Sequence, residues 1–276
     1  MHISELHFPD SAASLCALLQ QDPPIAIVAG GTATCYRSQG HALAFPPVVA
    51  SLSRIQELQA LSRTEQTIAI GSCVRLSQLR SIPPFDHPAA RAMLFSIGTE
   101  ALRNAATLGG HLLYRDSYLT LWPLLESLDA FLEFRQANRT FSIRMDRLVQ
   151  PEAGPLPPPQ SLLLKARIPA RPIDYLHAAR IGGSPFPNGE GAWLVCSAYF
   201  DRTAIGAFRL VLAGRHVFRD MDLEQSVSGQ KLPLSKRRIR ELLDRYGDSL
   251  AQRRCWNTDR IMPAMERALG ILTEGF

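Results

Sequence analysis

The residues best suited to chemistry in this sequence are two glycine pairs, Gly30-Gly31 and Gly109-Gly110, each set beside a threonine. The first follows the apolar run Ile25, Ala26, Ile27, Val28, Ala29 and leads into Thr32 and Ala33. The second closes the run Arg103, Asn104, Ala105, Ala106, Thr107, Leu108 and leads into His111. Glycine after a strand lets the backbone take φ > 0 and approach a ligand with no Cβ in the way. Successive N–H groups in such a turn form a concave anion site. One such pair is more often an ordinary tight turn. Two, each with a hydroxyl at hand, predict a diphosphate held from both sides, and so a bound nucleotide cofactor. Main-chain N–H groups and threonine hydroxyls solvate a dianion without placing a full positive charge against it.

Other chemistries are poorly served. Neither GxGxxG nor GxxxxGK[ST] occurs, which disfavours the common nicotinamide and nucleoside-triphosphate folds. Gly229-Gln230-Lys231 lacks the upstream glycine that the second pattern needs. The five cysteines, Cys16, Cys35, Cys73, Cys196 and Cys255, form no CxxC pair. Zinc or iron–sulfur ligation by this chain alone is therefore not expected. Their odd count and wide scatter predict free thiols in a reducing compartment. No histidine stands at metal-ligand spacing, so a metal site is not predicted, and no hydrolase triad is recognisable.

The 276 residues carry 30 Lys and Arg against 25 Asp and Glu, a net charge of +5. That excess is dispersed and reads as a solvated surface rather than a nucleic-acid footprint. No apolar stretch is long enough to span a bilayer. The first residues lack the basic and apolar regions of a signal peptide, so a cytoplasmic location is expected.

Several elements must position the glycine pairs. Asp10 or Ser11 caps a predicted helix through Leu15, Leu18 and Leu19, ended by Asp22-Pro23-Pro24. Residues 25–28 read as a buried strand, 48–52 and 67–71 as further strands, and 76–79 as a helix start that Pro83-Pro84 stops. Residues 89–98 are helical by composition. Residues 129–134 and 139–143 pair as a hairpin around Gln136, Ala137 and Asn138. The proline-rich stretch 151–160 is a loop or linker. Residues 162–169, 192–200 and 207–212 read as strands. Residues 234–246 and 260–272 are helices with apolar residues at three- and four-residue spacing.

At this point the residues resemble a known family. Ala29 to Thr32, then Ile97-Gly98, then Arg103 to Gly110 are similar to the flavin-binding subunit of molybdenum hydroxylases, the group of carbon monoxide dehydrogenase and xanthine dehydrogenase. Pro123 to Ala130, Leu162 to Pro169, Gly229 with Leu232, and Arg267-Ala268-Leu269 extend the likeness over most of the chain. The resemblance implies an α+β chain of the vanillyl-alcohol-oxidase/p-cresol-methylhydroxylase type. Two α/β subdomains, 1–55 and 56–170, would bind FAD, and a C-terminal α+β domain, 171–276, would carry a small antiparallel sheet. It implies that Ala29, Gly30, Gly31, Thr32 and Ala33 form one side of the pyrophosphate site, and Thr107, Gly109 and Gly110 the other. Arg103 and Asn104 would fix the second loop. Arg180 would be the basic residue that faces the flavin region. The implied function is electron relay. Electrons would pass from iron–sulfur clusters on a small partner subunit, fed by a molybdenum-cofactor large subunit, to an acceptor such as NAD or a quinone. The cofactor supplies the redox chemistry and the protein supplies position.

The chain departs from this pattern just after the second pair. His111 stands where the family has asparagine, and Thr120 where it has an aspartate near the cofactor's ribose and adenine end. Tyr114, Arg115 and Tyr118 are bulkier than the family's residues. Two readings follow. In one, FAD binds, His111 donates a hydrogen bond and Tyr114 or Tyr118 stacks on a ring. In the other, the site has decayed and the chain is a structural or assembly subunit. The basic run Lys231, Lys236, Arg237, Arg238 and Arg240 reads as a solvated helix face, or as a dock for an acidic iron–sulfur partner.

Overall fold

Three sheets follow one another along the chain in the computed structural model, which describes residues 3–21, 25–37, 47–114, 118–149, 156–183, 191–253 and 258–274. The expected helix stop at Pro23-Pro24, Arg115, the residues after Gly183 and much of the 151–160 loop lie outside the described residues.

The first sheet is parallel and built from β1 (Glu5–His7), β2 (Ala26–Val28) and β3 (Val48–Ser51), with β3 in the middle. Between β1 and β2 runs α1 (Ala12–Leu18). Ser11 caps it: its hydroxyl accepts from the Ser14 N–H, and the Ser14 side chain accepts from the Ser11 N–H. The helix seats Ala12, Leu15 and Cys16 in a core with Ala50, Leu52, Ile55 and Leu58. The run 25–28 is a strand, as expected, but not a buried one. It lies at the sheet edge, and Ile27 is 37% exposed. After β2 comes α2 (Thr32–Arg37).

The second sheet is antiparallel. It contains β4 (Leu61–Arg63), β5 (Thr67–Gly71), β6 (Phe131–Gln136), β7 (Arg139–Arg144) and β8 (Ser161–Pro169), in the order β4-β5-β8-β6-β7. The β6–β7 hairpin closes at Gln136 opposite Arg139, and Ala137 takes a positive φ of 49°. The helix expected to begin at 76–79 is a 3₁₀ helix over residues 76–81. Between β5 and β6 lie α3 (Pro88–Phe95), α4 (Glu100–Ala105), α5 (Leu108–Leu112) and α6 (Leu121–Ser127). They pack Met93, Leu108, Trp122, Leu124 and Leu125 onto Ile68, Ile70, Leu132 and Ile168 of the sheet.

The third sheet holds β9 (Tyr175–Ile181), β10 (Ala192–Asp201), β11 (Ala204–Ala213) and β12 (Val217–Arg219), in the order β12-β11-β10-β9. Three helices follow: α7 (Met221–Val227), α8 (Lys236–Arg253) and α9 (Thr258–Gly270). β10 is buried on both faces because it divides two cores. Trp193 and Val195 join the second sheet's core, while Leu194, Cys196 and Ala198 meet Leu242, Tyr246, Met265 and Leu269 of α8 and α9. Double burial explains its continuous apolar sequence.

Candidate functional site

The first glycine loop runs from the end of β2 into α2. Gly31 sits at φ +69°, the left-handed region that glycine enters at no steric cost. A Cβ there would meet nothing nearer than Val28 Cγ1 at 3.9 Å, so the demand is conformational. The Cys35 N–H donates to the Gly31 carbonyl at 3.0 Å. That bond opens α2, and the N–H groups of Thr32, Ala33 and Thr34 head the helix with no acceptor inside it. The positive end of the peptide dipoles points the same way. Gly30 answers a different demand. A Cβ on it would overlap the Ala105 carbonyl oxygen and crowd the Ala106 Cα. The first loop therefore rests directly on the backbone just before Thr107.

The second loop is organised otherwise. A tight turn with positive φ is expected at Gly109-Gly110, but both glycines lie inside the helix α5. Thr107 caps that helix, its hydroxyl oxygen accepting from the Gly110 N–H at 3.2 Å. The Leu108 N–H donates to the Val74 carbonyl at 2.9 Å and the Gly109 N–H to the Ser72 carbonyl at 2.7 Å. Gly109 is buried, and a Cβ on it would lie 2.8 Å from Ser72 Cβ. Here glycine serves close packing of α5 on the end of β5. Gly110 is exposed. The N–H groups of this loop already have partners, whereas the Thr107 hydroxyl keeps its own hydrogen to donate.

Arg103 and Asn104, expected to fix the second loop, act on the chain before it. The Arg103 guanidinium donates to the carbonyls of Phe95, Ile97 and Gly98 at 3.3, 3.0 and 2.7 Å. The Arg75 guanidinium donates to the Asn104 carbonyl. A cleft of about 430 Å³ opens beside α4, with Gln78, Arg80, Glu100 and Asn104 among its lining residues; neither glycine pair lines it.

The rewritten stretch turns inward. His111 is 7% exposed, and its Nε2 accepts from the Leu121 N–H at 3.2 Å. Burial lowers its pKa to about 3, so it is neutral at physiological pH; Nε2 accepts, and the ring hydrogen stands on Nδ1, the nitrogen left to donate. Tyr118 is fully buried, its ring edge-on to Trp122 at 4.8 Å. The expected stacking on a cofactor ring gives way to this packing. Tyr114 is buried too. Thr120 is 8% exposed and precedes α6 in helical conformation without a side-chain cap bond. Arg180, exposed on β9, donates to the Gly183 carbonyl at 3.0 Å. On α8, Arg237 and Arg238 bond Glu241 at 2.9 and 3.5 Å.

The sequence reading missed what stands behind this stretch. All seven residues of α6 are buried. At its far end Asp129, at φ +54°, meets Arg171, Arg209 and Arg219 at 2.7, 3.0 and 3.1 Å. Burial works to raise the Asp129 pKa, but the bonds and charges of Arg209 and Arg219 carry it below the ordinary value. Arg219 also pairs with Glu224 at 2.9 Å. Glu126 accepts from Trp122 Nε1 at 2.7 Å, and burial lifts its pKa to about 7 against the pull of Arg219. Arg209 and Arg219 lie 80 and 90 residues from Asp129, a distance no local pattern spans.

The residues fit a dinucleotide diphosphate. Two helix starts are brought side by side through the Gly30–Ala105 contact, one with open N–H groups and one with a threonine hydroxyl. Among the described residues no group of three His, Cys, Asp or Glu is placed to hold a metal. Nor is any helix of the described residues long and apolar enough to cross a membrane.

The architecture matches solved structures along almost its whole length. Quinoline 2-oxidoreductase from Pseudomonas putida 86 superposes with a TM-score of 0.77 at 16% identity, covering 99% of this chain and 97% of that one. Carbon monoxide dehydrogenase from Hydrogenophaga pseudoflava gives 0.74 at 18% identity, covering 96% and 94%. The fold is thus the α+β fold of the matched chains in these two structures. Residues 2–171 match the family described as the FAD binding domain in molybdopterin dehydrogenase, and the chain belongs to that family. FAD is the cofactor of such a domain. Aldehyde oxidase 2 from Mus musculus is 32% identical over 130 residues, 42% of this chain and 9% of that protein. Aldehyde oxidase 2 from Cavia porcellus is 32% identical over 151 residues, 50% of this chain and 11% of its own length. The chain thus spans about a tenth of the curated relatives it matches.

Proposed function

We propose that this chain is the FAD-holding, electron-transfer subunit of a cytoplasmic molybdenum hydroxylase. The observation that carries the reading is the Gly30–Ala105 contact, which sets the start of α2 beside Thr107. Ala29, Gly30, Gly31, Thr32 and Ala33 hold one side of the diphosphate, the first three by shape and the last two by N–H donation. Thr107 gives its hydroxyl hydrogen from the other side. Gly109 and Gly110 let α5 sit close enough for that, and His111 with Thr120 backs the loop. Bound FAD supplies the exchange of electrons. The chain's own residues bind it, orient it and keep water from its diphosphate. Arg180 stands as a candidate at the flavin end. The three sheets support a division into 1–55, 56–170 and 171–276.

The electron donor is read as iron–sulfur clusters on a small partner subunit, fed by a molybdenum-cofactor large subunit, with NAD or a quinone as acceptor. The structural neighbours, quinoline 2-oxidoreductase and carbon monoxide dehydrogenase, support an oxidoreductase assembly. The test is purification of the full chain with added FAD. One flavin per chain in the visible spectrum, with copurification of a cysteine-rich chain and a molybdenum chain, is the expected result. Protein that stays colourless with excess FAD overturns the reading in favour of a structural or assembly subunit, the alternative that the bonded N–H groups of the second loop favour.

A further inference from the structure

We infer that α6 is a buried strut that sets the second glycine loop against the third sheet, with His111 and Ser197 as positioning residues at its two ends. A helix leaves its first N–H groups and last carbonyls without partners of its own, and in a buried helix other groups must supply them. At the N-terminus of α6 the Leu121 N–H goes to His111 Nε2, four residues beyond Thr107. At the C-terminus the carbonyls point to the third sheet. The Ser127 carbonyl accepts from the Ser197 hydroxyl of β10 at 2.7 Å, and the Glu126 carbonyl accepts from Arg219 of β12 at 3.3 Å. Ser197 is fully buried and Arg219 nearly so.

The segment leading into the helix is tied down as well, the Tyr118 N–H donating to the Gly214 carbonyl beside β11 at 2.7 Å. Asp129, just past the helix, takes its three arginines from beyond residue 170. One end of α6 is thus closed by a residue of the cofactor loop and the other by side chains of the third sheet. A helix buried on every side cannot slide or tilt without breaking one of these closures. The position of Thr107 relative to the third sheet is set by bonds that touch no cofactor atom.

The strut stands on the protein alone; its consequence for the cofactor rests on the FAD reading. Amide hydrogen exchange on the full chain without flavin tests the strut. Ser197→Ala leaves the Ser127 carbonyl without its partner, a loss that makes local opening about tenfold more frequent. The expected result is faster exchange across residues 107–112, at the opposite end of the helix. Ser249→Ala, which removes a serine–carboxylate bond between α8 and Asp220, leaves that segment unchanged. His111→Ala speeds the same amides, and His111→Gln, which keeps an acceptor near the Nε2 position, restores them. Exchange at 107–112 that stays at the wild-type rate in Ser197→Ala overturns the strut.

With FAD added, Ser197→Ala shifts the visible circular dichroism of bound flavin and speeds its release. The Ser197→Ala/His111→Ala double variant releases it no faster than the more severe single variant. Multiplication of the two single effects overturns the coupling. A wild type that takes up no FAD overturns the functional reading and leaves the exchange result to decide the strut.

Discussion

The two glycine pairs look alike in sequence and do opposite work in the structure. At Gly30-Gly31 the backbone turns left-handed, and the following N–H groups have no acceptor in their own helix. At Gly109-Gly110 the backbone is helical, and the N–H groups are bonded to Ser72 and Thr107. The first loop leaves N–H groups open and is held in place from beneath. The second is a packing joint that delivers one hydroxyl. A glycine motif therefore states that a side chain is unwelcome, but not whether a ligand or a neighbouring backbone excludes it.

That contrast can be broken by substitution. The largest effect belongs to Gly30→Ala, whose Cβ would strike the Ala105 carbonyl. Backbone cannot yield as a flexible side chain does, so a loss of about 3 kcal/mol is expected. Chemical denaturation should show it, with FAD retention lost as the loops part. Gly109→Ala presses on Ser72 and should cost about 2 kcal/mol. Its FAD affinity should fall less than its stability, and the reverse outcome would make the second loop the binding surface.

The next effect is a slope rather than an offset. His111, lowered from 6.5 to about 3, takes a proton in the unfolded chain before the folded one, so stability falls as pH drops below 6.5. Glu126, raised from 4.5 to about 7, runs the other way, and its contribution is lost as pH rises from 4.5 through 7. The two offset each other between pH 4.5 and 6.5. His111→Gln leaves Glu126 uncompensated, so relative to wild type the variant should lose about 1.4 kcal/mol for each pH unit gained in that window. Parallel stability profiles for the two proteins would place His111 outside the buried joint. The smallest stability effect is Gly31→Ala, about 1 kcal/mol for the left-handed residue. With open space around it, this change should speed FAD release more than it lowers the melting temperature.

Much of this was legible in the sequence. The strands at 48–52, 67–71 and 162–169, the hairpin at 129–143 and the capped helix after Ser11 follow from alternation, turn residues and caps. Both glycine pairs were read as a diphosphate site from their residue types and flanks, and the flavin-subunit resemblance named the cofactor. What was hidden had physical reasons. The run 25–28 is equally apolar as a central or an edge strand, so Ile27's exposure could not be read. The helices α4 and α5 are six and five residues long, and the glycine pair masks the second. Thr99 and Thr107, which cap them, were the available signal. The acceptor role of His111 Nε2 was hidden because nothing local shows that Leu121 will present an N–H to it. Two of the three arginines around Asp129 stand on β11 and β12 of the third sheet, far along the chain.

The burial of α6 also bears on how the chain assembles. Seven residues are too few to hold a helix alone in water, and this one has no face suited to solvent. It becomes worthwhile only after the glycine loop has offered His111 and the third sheet has offered Ser197 and Arg219. The stretch matched by the family, 2–171, contains the helix but neither of its C-terminal partners. The segment 2–171 taken alone would leave the Glu126 and Ser127 carbonyls of this buried helix without their partners, so it should be less stable than the same residues in the full chain.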